Sequence, residues 1–238
     1  MHNNKTFLAI IPARGGSKRL PRKNTLDLAG KPLIAWSIEA GLKSKYIDEV
    51  MVSTDDDEII NIAKNCGARI PFVRPKKLSN DFSTRSEVIK HTIEFYQNKL
   101  DKNFDYLIFL QPTSPLRDEI DIDKAIEYLF CKNADAIVSV CEVGYPIQWS
   151  GVLPKNNDMS SFLEDIAIKS RSQDFKTIYK LNGALYICST KKFLEQGCLF
   201  LKENIYAYKM LESISVDIDT KEDFEYAEFL MNKKIRII

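Results

Sequence analysis

Short apolar runs rich in β-branched residues alternate along this chain with longer stretches of helical period, the pattern of a parallel sheet flanked by helices. Thr6 to Pro12 reads as the first strand and Glu49 to Ser53 as the second. Between them a polar loop from Ala13 to Lys31 leads to Pro32, which opens an amphipathic helix with Leu33, Ile34, Ile38 and Leu42 on one face. Asp55 to Asp57 supply N-cap chemistry for a helix carrying Ile59, Ile62 and Ala63, stopped by Gly67. After a short apolar piece at Ile70 to Val73, the spacing predicts a helix over Thr84 to Leu100 and a fully buried strand over Asp105 to Leu110. The helix Asp118 to Phe130 and the strand Ala134 to Cys141 repeat the unit. Further strands are expected at Gly183 to Cys188 and Ile205 to Met210, and a last helix from Thr220 to about Met231.

The stretch from Glu142 to Lys180 breaks this rhythm, with two prolines, the polar run Lys155-Asn156-Asn157-Asp158 and no sustained period. Insertions of that kind serve as lids or dimer arms more often than as inert loops. No repeat, low-complexity tract or linker divides the rest, so residues 1–238 are expected to form one domain with an inserted arm at 142–180.

With 238 residues and 45% hydrophobic content, the chain is large enough for a full core. Thirty-four Lys and Arg balance thirty-three Asp and Glu for a net charge of +1, which argues against nucleic acid as the main partner. No run approaches the roughly 18 consecutive apolar residues of a membrane span, and Phe7 to Pro12 is too short for a signal-peptide core. Five scattered cysteines without a C-x-x-C pair are expected to be reduced core thiols, which together place the chain in the cytoplasm. Only His2 and His91 are histidines, so chemistry must rest on carboxylates, lysines, arginines and backbone amides. Trp36, Trp149 and His91 are expected to pack.

Six basic residues, Arg14, Lys18, Arg19, Arg22, Lys23 and Lys31, crowd a loop with one acid, Asp27, at the carboxyl end of the first strand. Ligands of open α/β sheets bind at that edge. Gly15 and Gly16 let the backbone approach an anion, and the cations offset phosphate charge. The loop is neither a Walker A sequence nor a G-x-G-x-x-G fingerprint. Near the other terminus, Asp217 and Asp219 are two apart, so an extended backbone turns both carboxylates to one side, where they suit a shared Mg²⁺ with substrate phosphates. Capping of the last helix by Asp219 or Thr220 is the plainer alternative. Together, loop and acids point to nucleotidyl or phosphoryl transfer.

The run Ile11-Pro12-Ala13-Arg14-Gly15-Gly16-Ser17-Lys18-Arg19-Leu20-Pro21-Arg22-Lys23-Asn24 resembles the signature loop of the acylneuraminate cytidylyltransferases, the CMP-sialic acid synthetases. Val52-Ser53-Thr54-Asp55, Arg74-Pro75-Lys76-Lys77-Leu78, Leu110-Gln111-Pro112-Thr113-Ser114-Pro115-Leu116-Arg117, Asn182-Gly183-Ala184 and Val216-Asp217-Ile218-Asp219-Thr220 follow in the family's order. The resemblance implies a Rossmann-like α/β fold of nucleotide-diphospho-sugar transferase type, with a mostly parallel sheet and a homodimer in which the arm reaches the partner's site. It also implies transfer of CMP from CTP to a nine-carbon 2-keto acid sugar with release of pyrophosphate. By the same resemblance, Ala13, Arg14, Gly15, Gly16, Ser17, Lys18, Lys23 and Asn24 would hold the triphosphate, and Arg74 and Thr84 the cytosine and ribose. Gln111, Arg171, Gln173 and Asn182 would meet the sugar, although Asn182 before Gly183 also suits a turn. Asp217 and Asp219 would place Mg²⁺ and, with Arg14 and Lys23, carry the catalysis. Other readings are a cytidylyltransferase for another acidic sugar such as Kdo, a metal-dependent glycosyltransferase, and a nucleotide-sensing module without turnover.

Overall fold

In the computed structural model, which describes residues 4–163 and 171–235, the expected alternation closes into one six-stranded sheet with helices on both faces. Its strands are β1 (Phe7–Pro12), β4 (Glu49–Ser53), β5 (Tyr106–Phe109), β6 (Ala136–Glu142), β7 (Tyr179–Ser189) and β8 (Ile205–Met210), in spatial order β4-β1-β5-β7-β6-β8. A small hairpin of β2 (Asp27–Leu28) and β3 (Lys31–Pro32) lies in the long loop after β1. β1 pairs in parallel with β4 and β5, and β6 with β8, whereas β7 runs antiparallel between β5 and β6. The strand expected at Gly183 to Cys188 is thus longer and reversed, because its first residues continue out of the inserted arm.

Alternation along β1 sends Phe7, Ala9 and Ile11 to one face and Leu8 and Ile10 to the other. The first face packs against α1 (Leu33–Lys43), α2 (Asp57–Asn65) and α4 (Glu119–Cys131) through Ile34, Ile38, Ile59, Ile122 and Ile126. The second packs against α3 (Arg85–Leu100) and α5 (Thr190–Gln196) through Ile89, Ile93, Tyr96 and Phe193. Leu42, expected on the inner face of α1, is instead 46% exposed. The apolar piece at Ile70 to Val73 forms no strand; an isolated bridge to Met51 is made by Arg69 just before it.

A third apolar cluster positions the site. Leu28 of the hairpin, Leu33 of α1, Leu116, Ile218 and Ala227 and Met231 of α6 (Lys221–Ile235) are buried together. It ties the C-terminal helix, and the acids either side of Ile218, to the long loop after β1.

Helix starts follow local chemistry. Asp56 caps α2 by accepting from Ile59 N at 3.1 Å, and Thr84 and Glu87 form a reciprocal capping box on α3. Trp36 and His91 pack as expected: Trp36 donates to Leu28 O at 2.9 Å, and His91 meets the Phe72 ring edge-on.

Candidate active site

A cleft of about 380 Å³ opens where β1 and β5 end, lined by Arg14, Ser17, Lys18, Arg19, Lys23, Asn24, Gln111, Thr113 and Asp219, among others. It shares Arg14 and Gln111 with a recess of about 230 Å³ that reaches Arg74, Asp81, Thr84 and Arg85. A separate cavity of about 190 Å³ lies between Trp36 and Arg117, outside this group.

The basic loop is held in shape by acids from elsewhere in the chain. Gly15 donates its N–H to Asp55 at 3.2 Å, and a side chain at Gly15 would collide with Asp56, whose Oδ2 lies 2.5 Å from the position of a Cβ. Arg22, in a left-handed conformation at φ 58°, pairs with Asp56 at 2.5 Å and with Glu58. Asn24, buried, donates to Arg14 O at 3.3 Å and closes the loop on itself. Ala13 is also buried, its N–H on Ser53 O at 2.9 Å. Ser17 N–H turns back to Gly15 O at 3.1 Å. The amides of Gly15 and Ser17, expected to face phosphates, are therefore engaged within the protein here, while Gly16 is exposed with open space above it.

Four cations of the cleft are already matched with carboxylates. Arg14 and Lys18 share Asp81, at 2.9 and 2.5 Å, and Arg19 and Lys23 share Asp219, at 2.9 and 3.2 Å. Hydrogen bonds from Lys18 and Arg14 hold Asp81 below the usual carboxylate range. Lys23 also donates to Ile218 O at 2.6 Å, which fixes its ammonium beside the C-terminal acids. Three of these pairs are solvent-exposed and contribute little to stability, so an incoming polyanion displaces them at small cost, whereas the Lys23 ammonium is largely buried against Asp219.

Asp217 and Asp219 are close enough to influence one another, yet Val216 to Asp219 is not the extended strand that the two-residue spacing assumes. Ile218 is fully buried and its N–H is on Thr113 O at 2.8 Å. Asp219 faces the basic loop, whereas Asp217 lies toward Gly183 and an adjoining recess with Asn182, Ser215 and Val216. Crowding by protein pushes the Asp217 carboxyl above its ordinary range and Asp219 adds to this, while Thr113, Lys23 and Arg85 act the other way. Asp217 as a whole is nonetheless an exposed residue on that recess. Of the two candidate caps for α6, Thr220 takes the role: its Oγ1 accepts from Asp223 N at 3.3 Å, while the Asp223 carboxylate accepts from the N–H groups of Thr220 and Asp219 at 2.8 and 3.0 Å.

Among the described residues no three acids, histidines or cysteines converge. Asp219 in the cleft, with Asp217 on the adjoining recess, supplies the one or two carboxylates that Mg²⁺, a hard cation, takes from protein before completing its shell with phosphate and water.

Arg74 is 5% exposed, with Nε on Ser53 Oγ at 2.9 Å and Nη2 on Ser53 O; burial lowers its pKa to about 10, and it stays charged at neutral pH. Thr84 opens onto the same recess, but its hydroxyl is engaged in the α3 cap. Gln111 donates from Nε2 to Gly183 O at 2.6 Å and links the two parts of the cleft. Asn182 takes a different place from the one expected: it is 4% exposed and donates to Ser215 Oγ at 2.9 Å and Met210 Sδ at 3.4 Å. It also accepts from Ser139 Oγ at 2.6 Å and Ala184 N at 3.2 Å. With both ends of its amide engaged, Asn182 braces β6 against β7 rather than presenting itself to a ligand. Arg171 and Gln173 lie exposed on the arm outside the cleft lining, Arg171 paired with its neighbour Asp174 at 3.2 Å, and residues 164–170 of the arm lie outside the described residues.

The family described as Cytidylyltransferase matches residues 8–237. The chain belongs to that family. This cytidylyltransferase is 40% identical over 223 residues to the pseudaminic acid cytidylyltransferase of Campylobacter jejuni, covering 94% of this chain and 95% of that one. It is 37% identical to the CMP-N,N'-diacetyllegionaminic acid synthase of Legionella pneumophila, over 94% and 96% of the two chains. Against the N-acylneuraminate cytidylyltransferase of Escherichia coli identity is 36%, over 97% of this chain but 53% of that one. Two solved structures share the cytidylyltransferase's fold at low identity. CMP:2-keto-3-deoxy-manno-octonic acid synthetase complexed with CTP superposes with a TM-score of 0.67 at 20% identity, over 96% of this chain and 99% of its own. The 4-diphosphocytidyl-2C-methyl-D-erythritol synthase of Anaerococcus prevotii gives 0.64 at 16%, over the same shares.

Proposed function

We propose that this cytidylyltransferase transfers CMP from CTP to the anomeric hydroxyl of a nonulosonic, sialic-type acid and releases pyrophosphate. The observation that carries the reading is the meeting of Lys23 and Asp219 at 3.2 Å inside one cleft, because it sets a cationic cradle against a carboxylate in a single lining. The relatives named for pseudaminic, legionaminic and neuraminic acids support the acceptor class.

On this reading the triphosphate lies along Arg14, Lys18, Arg19 and Lys23, and the nucleoside lies toward Arg74 and Thr84. The acceptor stands at Gln111, its C2 hydroxyl aligned with the α-phosphorus. The new O–P bond forms as the bond to the β-phosphate breaks, and Arg14 and Lys23 neutralise the departing pyrophosphate. One of the two aspartates takes the hydroxyl proton, directly or through water, since an anomeric alcohol is a weak nucleophile at neutral pH. Mg²⁺ held by Asp217, Asp219 and the phosphates would add neutralisation of the triphosphate.

The arm, with Tyr145, Ile147, Val152 and Leu153 exposed, is read as the dimer element that carries Arg171 and Gln173 toward a second copy's cleft. No described helix is long and apolar enough to cross a membrane. Five free cysteines and a CTP substrate accord with work in the cytoplasm.

Pyrophosphate release with CTP, Mg²⁺ and a panel of pseudaminic, N,N'-diacetyllegionaminic, N-acetylneuraminic and Kdo acceptors tests the reading. Turnover with at least one nonulosonic acid, exceeding that with Kdo, is expected; release with none of the three refutes it. Asp219→Asn is expected to lower turnover at least a hundredfold with an unchanged thermal transition, and a near-normal rate would remove Asp219 from the mechanism.

A further inference from the structure

One cation of the cleft differs from the rest in what it faces. Arg14, Lys18, Arg19 and Lys23 have carboxylate partners, Arg22 is committed to Asp56 and Glu58, and Arg74 is sunk onto Ser53. Arg85, the first residue of α3, is instead held by a phenol: Nη1 donates to Tyr186 Oη at 3.0 Å, and the guanidinium carbon lies 5.3 Å from the centre of that ring. Among the described residues no carboxylate stands at ion-pair distance from Arg85. Tyr186 is 1% exposed and wedged between Phe109 and Phe200, with centroids at 6.2 and 5.9 Å, so the post that carries the cation is rigid. A guanidinium has five N–H donors, and this bond to the phenol uses one. The result is a positioned cation lining the recess beside Thr84, Phe109 and Gln111, with its charge reaching Asp217.

The inference rests on the reading proposed above, which brings two anions to the cleft. The triphosphate has its own cations around the long loop, a group that Arg85 does not join. The second anion is the acceptor's carboxylate. In the ring form of a 2-keto acid sugar, C2 bears both the attacking hydroxyl and the carboxylate, so the carboxylate stands two bonds from the nucleophilic oxygen. Bringing that oxygen to the aspartate pair therefore brings a third negative charge beside Asp217, and an uncompensated like charge at such range is strongly unfavourable. Arg85 is the cation on the Gln111 side that offsets it.

We propose that Arg85, steadied by Tyr186, binds the carboxylate of the acceptor and selects acidic sugars over neutral ones. In the sequence it is inconspicuous, one residue beyond Thr84 and outside the basic loop.

The test is steady-state pyrophosphate release by Arg85→Gln, varying acceptor at saturating CTP and then CTP at saturating acceptor. Removing a charge-assisted hydrogen bond from a binding site predicts a KM for the acceptor raised roughly ten- to a hundredfold, with the KM for CTP within about twofold. Tyr186→Phe is expected to shift the same parameter less, and Arg85→Lys to restore part of it. An acceptor analogue with its carboxylate reduced to a primary alcohol is expected to be poor with the native enzyme and no poorer with Arg85→Gln. An acceptor KM left within twofold, a matching rise in the KM for CTP, or an equal further loss on the alcohol overturns the inference. A native enzyme inactive on every nonulosonic acid defeats the functional reading itself, and this inference with it. Native activity with an unaltered Arg85→Gln defeats the inference alone. The exposed position of Arg85 keeps folding out of the comparison, and an unchanged thermal transition verifies that.

Discussion

Asp81 shows how single side chains set the state of the site. It lies on the exposed turn before α3, far in sequence from the loop it neutralises, and bridges Arg14 and Lys18. On the proposed reading CTP must displace it, so Asp81→Asn is expected to lower the KM for CTP roughly two- to fivefold, given the modest worth of exposed ion pairs; an unchanged or higher KM would show that Asp81 does not compete with nucleotide. Asp105 works at the other end of the sheet. Burial alone would raise its pKa, but hydrogen bonds from Lys5 and Thr6 outweigh that and leave it below the carboxylate range. A lowered carboxyl contributes stability above its unfolded pKa and loses it as pH falls through the folded value. Asp105→Asn is therefore expected to cost less than about 1 kcal/mol at neutral pH and to flatten the acid side of the stability profile, measured by urea unfolding between pH 3 and 7.

At the scale of elements, most of the order along the chain was legible in the sequence, because periods of two and 3.6 are local properties. Pro32, Asp56, Thr84 and Gly67 mark boundaries by their own backbone and capping chemistry. The direction of β7 was not legible, since nothing in Ala184 to Cys188 says which way a buried strand runs. The clustering of Arg14, Lys23 and Asp219 followed from position at the sheet edge and from resemblance, whereas the engagement of Asn182 with Ser139 and Ser215 depends on contacts between β6, β7 and the turn after β8. Gly183, with φ +75°, joins β7 to the site: a Cβ there would stand 2.5 Å from Gln111 Nε2 and 3.4 Å from Asp217 Oδ2. Gly183→Ala is expected to cost about 1–2 kcal/mol from the left-handed backbone, and to reduce kcat/KM more than that loss of stability explains by displacing Gln111. Urea unfolding and turnover on the same sample separate the two effects, and a variant with native kcat/KM would show that Gln111 tolerates the displacement.

For the whole molecule, the arm leaves the sheet between β6 and β7 and carries apolar side chains into solvent, Val152 at 94% exposure among them. Such a surface is characteristic of an interaction site. The protein is expected to sediment as a dimer, and a variant with Ile147, Val152 and Leu153 changed to serine is expected to sediment as a monomer with a raised KM for the acceptor; a native monomer with full activity would remove the arm from the site.

The apolar cluster that buries Ile218 with Leu28, Ala227 and Met231 has a consequence of its own. The acids bracketing Ile218 have no strand of their own to hold them, so their alignment with Lys23 depends on the seating of α6 against a small hairpin. Elements held by a small apolar cluster open locally well below the free energy of global unfolding. Heat or a truncation that unseats this helix would therefore silence the enzyme while the central sheet is still intact, so that inactivation runs ahead of melting.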